Sequence, residues 1–184
     1  MFPFYEQLAA QEKEREINRW YIPDYFKIQH AGNIGFMSIG LGYEWANCIK
    51  SDFIYGYVPQ YRGNATIHTF TIKNTFEIYR FELFQNFNLS PIAGFSLSFE
   101  PGENSFMKVP EKYPEGYYGT NSFYSCLNLG FSTNFKFKDE RNFSGLDIYC
   151  ELNTLGDYLY YNIIAQEDKD DIIFSMALGV NVFF

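Results

Sequence analysis

The sequence predicts an all-β fold: an eight-stranded antiparallel up-and-down transmembrane β-barrel with a short N-terminal helix. Three observations carry that expectation. The last fourteen residues place Ile172, Phe174, Met176, Leu178, Val180, Val182 and Phe184 on one strand face. Side chains alternate with period two along a strand, so seven apolar residues in seven same-face positions require a surface with no water against it. Opposite them stand Asp171, Ile173, Ser175, Ala177, Gly179, Asn181 and Phe183, a mostly compact set suited to a crowded barrel interior. The same division into large apolar and small polar faces recurs at 37–45, 91–99 and 123–137. Finally, 21 Phe and 16 Tyr against 2 Trp give an aromatic excess, for which girdles at two water interfaces are a physical reason.

The elements follow in order. Residues 5–19 are good helix formers, but Leu8 and Ile17 are their only large apolar positions, so this helix is weakly amphipathic and solvated. Pro23 stops it, and a tight AGN turn at 31–33 separates the first two strands. From 37 to 45, Met37, Ile39, Leu41, Tyr43 and Trp45 oppose Ser38, Gly40, Gly42 and Glu44. A soluble sandwich also alternates, yet its wet face carries long charged residues, whereas a narrow barrel needs small or hydrogen-bonding ones inside.

The run 51–61 keeps Phe53, Tyr55 and Tyr57 together, with Pro59 near its end. Between 65 and 81, Phe70, Ile72, Phe76 and Ile78 read as lipid-facing and Thr71, Lys73, Thr75 and Glu77 as lumenal. Ile67 breaks that parity and predicts a bulge near Thr69. The strand at 91–99 sets Ala93, Phe95, Leu97 and Phe99 against Gly94, Ser96 and Ser98. From 146 the pattern reads as one long strand to about Ala165, although Asn, Gly and Asp in NTLGD are also turn residues. Domain organisation is then 1–24 as a periplasmic helix and lead-in, and 25–184 as the barrel, with a long extracellular loop at about 100–120.

Other classes are excluded by what the chain lacks. No stretch of eighteen apolar residues supports a transmembrane helix, and mean hydropathy is slightly negative, as a barrel's one-to-one dilution by lumenal residues allows. A net charge of −8 without a Lys/Arg cluster argues against a nucleic-acid partner. Cys48, Cys126 and Cys150 lack CxxC spacing, so neither a disulfide framework nor a metal site is expected; Cys126 and Cys150 read as packing residues. The first twenty residues have no basic start followed by an apolar run and are not a secretory signal. A barrel bound for the outer membrane needs one, so the expectation is a mature or engineered chain carrying a start Met.

The end Ala177-Leu178-Gly179-Val180-Asn181-Val182-Phe183-Phe184 resembles the C-terminal signal read by the outer-membrane assembly machinery. Gly179, Val182 and Phe184 fit its pattern, while a polar residue is more usual where Ala177 stands. Over about residues 25–184 the layout is similar to small eight-stranded outer-membrane proteins, including the OmpA transmembrane domain, OmpX, PagP and PagL. The Phe/Tyr/Asn-rich usage also resembles Bacteroidota outer-membrane proteins. The resemblance implies residence in the Gram-negative outer membrane, with its lipid and its assembly machinery as partners, another outer-membrane protein as a candidate partner, and no cofactor.

Candidate chemistry is sparse. PagL-like deacylases resemble a Ser-His-acid system with a His-x-Ser pair. Here the two histidines, His30 and His68, are followed by Ala31-Gly32 and Thr69-Phe70, with no Ser two residues on. Both have lipid-facing parity and read as interfacial polar residues. Lys73, Glu77, Asp147, Glu151 and Asp157 have lumenal parity, and charges in so narrow an interior survive by pairing with one another. The long loop holds three prolines with Phe106, Lys108, Lys112, Tyr113, Tyr117 and Tyr118, a stiffened aromatic set suited to docking a protein or a surface glycan, or to folding as a lid. Two functions are therefore weighed: a non-enzymatic structural or accessory subunit, and a barrel enzyme that hydrolyses or transfers acyl chains of lipid A or phospholipid.

Overall fold

The computed structural model describes residues 21–45, 48–63, 66–84, 87–102, 122–137, 143–159 and 174–184. The expected N-terminal helix and most of the long loop, with all six of its docking candidates, lie outside the described residues. Among the described residues there are nine strands: β1 (Tyr25–Ala31), β2 (Met37–Trp45), β3 (Ile49–Val58), β4 (Ile67–Glu77), β5 (Phe81–Phe84), β6 (Phe87–Phe99), β7 (Phe123–Lys136), β8 (Gly145–Leu155) and β9 (Ser175–Phe183). Two single-turn helices, α1 (Gln60–Gly63) and α2 (Gly156–Leu159), follow β3 and β8.

Eight strands close a ring. All pairings are antiparallel, β1 pairs with both β2 and β9, and the ring is sealed where β4 pairs with β6. The predicted strand number is therefore correct, with β5 as a short extra piece on β6. From Lys27, the register leads one way through Gly40, Ile54 and Thr71 to Ser98 of β6. The other way it leads through Asn181, Asp147 and Asn134 to Asn88 of the same strand. That stagger of ten residues around eight strands fixes a strand tilt of about 40° and a backbone radius of about 8 Å. Such a cylinder has room for its own side chains and little else.

Several local expectations are corrected. No bulge interrupts β4 near Thr69, because its pairing with β3 runs unbroken from Val58↔Ile67 to Ile49↔Phe76. Ile67 keeps lumen parity at the mouth of the barrel, the end where Ile34 is also buried. The irregularity lies instead beyond Glu77, where β5 takes over from β4 with a shifted register on β6. β6 begins four residues before the predicted start and carries Pro91 inside it. The Pro91 carbonyl accepts from Ile78 N, in the break between β4 and β5, so its missing N–H faces the one gap in the ladder. The strand predicted to reach Ala165 ends at Leu155, where the chain turns into α2 at Gly156. The NTLGD turn residues prevail over the continuing apolar pattern.

Candidate functional site: the polar lumen

The wall is divided as the alternation requires. Outward residues such as Ile39, Phe53, Ile72, Phe95, Leu129, Ile148 and Leu178 are exposed, while their neighbours Ser38, Asp52, Lys73, Ser96, Asn128, Asp147 and Ala177 are buried in the lumen. This inverts a soluble protein. Aromatic pairs gather at both ends of the wall: Tyr43 on Trp45 and Phe87 on Phe135 at the end holding the termini, Phe99 on Phe123 at the opposite, loop-bearing end.

Inside, lysines of β1, β3 and β4 meet carboxylates of β3, β4 and β8. Lys27 Nζ lies 2.5 Å from Asp52 Oδ2, and Tyr25 donates to Asp52 Oδ1 at 2.5 Å. Lys50 pairs with Asp147 and with Glu77, the latter at 2.9 Å, and Asn134 Nδ2 donates to Asp147 at 2.6 Å. Lys73 pairs with Glu151 and reaches Gln29 Oε1 at 3.4 Å, which also accepts from Tyr149 at 2.9 Å. Arg80 closes the terminal end with a 2.5 Å bond to Glu77. Lys50–Asp147 and Lys73–Glu151 join β3 and β4 to β8 across the barrel and lace opposite walls, while Lys27–Asp52 and Lys50–Glu77 tie strands on one side of it. Buried charges persist only when geometry and extra hydrogen bonds offset their desolvation, and the shared amides and phenols do that here.

Two glycines make the network fit. A Cβ on Gly42 would overlap the Tyr25 ring, and one on Gly179 would overlap the Tyr149 ring. The Tyr149 ring in turn lies 4.9 Å from Lys27 Nζ and 5.2 Å from Lys73 Nζ, close enough for cation–π attraction from both.

The loop-bearing mouth is closed from within. Ala31, Gly32 and Asn33 all have positive φ, which turns the chain inward so that Ile34 is buried. Tyr124 of β7 donates to Asn33 O at 2.8 Å across the barrel, and Phe36 N donates to Tyr57 O at 3.0 Å. Gly56 admits the turn, since a Cβ there would overlap Ile34 O. Below it, a cavity of ≈ 10 Å³ lined by Lys27, Lys50, Lys73 and Tyr149, among others, has room for about one water.

The structure bears out the lumenal placement of Lys73, Glu77, Asp147 and Glu151. Asp157 is corrected: it stands exposed on α2, because the chain has already left the strand. Lys27, Lys50, Asp52 and Tyr25 join the network beyond the charges expected from the sequence; Asp52 has the parity opposite Phe53 and Tyr55, and Lys50 shares it because β3 begins at Ile49. Cys126 is a buried lumenal packing residue; Cys150 is exposed on the outer wall.

His30 and His68 have the outward parity expected and both stand toward the loop-bearing end, but on β1 and β4 with β2 and β3 between them. His30 meets the edge of the Phe36 ring, and His68 Nδ1 is 2.7 Å from the Tyr55 hydroxyl. They do not form one constellation. No cluster of three or more His, Cys, Asp or Glu that could hold a metal occurs among the described residues. Of the three residues expected to form an assembly signal, Gly179 is buried under Tyr149, Val182 is half-buried and Phe184 is exposed at the terminal rim.

A closed, staggered ring with an apolar exterior and a polar, filled lumen is the architecture of small eight-stranded outer-membrane-type barrels. Among solved structures the chain is similar to the N-terminal β-barrel domain of Pseudomonas aeruginosa OprF. The likeness has 12% identity and a TM-score of 0.44, and covers 88% of this chain and 98% of that one. No family model and no curated protein sequence matches the chain. The barrel assignment rests on the pairing register itself.

Proposed function

We propose that the chain is an integral outer-membrane protein whose barrel is a non-enzymatic scaffold. In this reading residues 25–184 form the membrane domain, 1–24 a periplasmic lead-in, and the loop at about 100–120 an extracellular docking arm. The observation that carries it is the lumen: Lys27, Lys50 and Lys73 are all committed to carboxylates around a cavity with room for about one water. Such an interior suits a rigid support better than a conduit. Phe106, Lys108, Lys112, Tyr113, Tyr117 and Tyr118 then supply the partner contact, and the chain serves as an accessory subunit. Gly179, Val182 and Phe184 act as the assembly signal, with Gly179 also making room for Tyr149.

Co-purification from native membranes tests the subunit reading. A stable companion is expected with the full chain and is lost when residues 103–121 are replaced by a short Gly/Ser linker, while the barrel still shifts on gels when boiled. A change in lipid A acylation on expression, abolished by His30→Ala or His68→Ala, would overturn it in favour of a lipid-modifying enzyme.

A further inference from the structure

The outer wall has one polar pair at mid-height. Along β4 the outward residues are Phe70, Ile72, Asn74, Phe76 and, just past the strand, Ile78, so Asn74 has two apolar neighbours on either side. Its cross-strand partner on β3 is Ser51, also outward, with Phe53 and Tyr55 to one side and Ile49 to the other. Ser51 Oγ and Asn74 Oδ1 are 2.8 Å apart. That bond uses one end of the amide. The Asn74 Nδ2 group has no acceptor among the described residues, and turning the amide over would strand the carbonyl instead.

Thr133, also outward, shows the usual solution. Its hydroxyl donates to Ile148 O at 3.2 Å and leaves no donor facing outward. Asn74 does not do this: its bond to Ser51 leaves the other end of the amide facing outward. A half-satisfied amide facing hydrocarbon is costly, and such groups mark contacts between membrane segments. The surroundings permit close approach: Ser51 is directly opposite, Ala93 of β6 lies on the diagonal, and the Phe76 and Phe95 rings stack beside them at 6.3 Å.

We infer that the β3–β4–β6 wall is a lateral interface, and that its occupant is a second copy of this chain placed by a twofold axis beside Asn74. A primary amide carries both a donor and an acceptor, so two copies of Asn74 complete each other without any further group. In a twofold contact each residue near the axis meets its own counterpart, and a single buried Asn is an established means of fixing partner and register. This inference rests on the membrane reading above.

Disulfide trapping tests it with the full chain, in a background where Cys48→Ser, Cys126→Ala and Cys150→Ser remove the native thiols. Asn74→Cys is compared with Leu178→Cys on β9, four strands round the ring, each checked for the heat-dependent gel shift of a folded barrel. Under mild oxidant in membranes, Asn74→Cys is expected to give a product of twice the chain mass, at least about tenfold more than Leu178→Cys. Asn74→Leu in the native background should weaken self-association about tenfold by sedimentation. Equal trapping at both positions, no trapping at Asn74→Cys, or a product with a different protein overturns the inference. A chain that fractionates as soluble and shows no heat shift overturns the membrane reading instead.

Discussion

The lumen stands or falls on single side chains. Lys73 and Glu151 are each almost fully buried and hold each other, so Lys73→Met leaves a lone carboxylate inside the barrel. Urea unfolding of the lipid-inserted protein should show a loss of about 3–5 kcal/mol for that variant, most of it recovered in Lys73→Met/Glu151→Met. A neutral single variant would mean that water reaches the pair. Gly179→Ala pushes a methyl into the Tyr149 ring, with an expected cost of about 1–3 kcal/mol. Adding Tyr149→Ala should remove that cost, and additive effects would show that the two do not interlock. Residues on long, regular alternations, such as Lys73, Asp147 and Glu151, were legible because parity alone assigns their side. Lys50 and Asp52 were not, because NCIKSD carries turn residues and disguises a strand that has already begun. Lys27 lies on a strand of seven residues, too short for the pattern to speak.

At the scale of elements, alternation marked the longer ring strands, which have one face in apolar surroundings and one in a crowded polar lumen, whereas β1 followed from the AGN turn after it. Strand ends were harder. Whether a turn residue stops a strand depends on what lies across from it: Pro91 sits inside β6 because the ladder is open beside it, whereas Gly156 ends β8. The inward fold of the β1–β2 turn was invisible as well, since an AGN signal predicts a turn but not its direction. Ala31 has φ 64°, a conformation costly for a side chain, so Ala31→Gly should raise stability by about 0.5–1 kcal/mol. The measurement is the same urea transition; a loss would mean that the Ala31 methyl contributes more by packing than its backbone costs.

For the whole molecule, the closed register and the charge lacing predict an electrically silent barrel. In planar bilayers the folded protein should show no long-lived conductance steps, and steps of porin size would show that the lumen opens. Closure itself was legible only indirectly, from the strand pattern, because the β4–β6 pairing and the stagger of ten residues depend on contacts that no local pattern encodes. The most direct test of the barrel in its bilayer is spin-label accessibility, in the background free of native cysteines. Single cysteines at Ile72, Leu97, Leu129 and Leu178 are compared with Asn181 and Ser96 after reconstitution. The first four should be open to oxygen and shielded from a water-soluble nickel reagent, and the last two restricted by lumen packing. Nickel accessibility at all of the first four, or a chain that remains in solution without detergent, would contradict a lipid-facing wall.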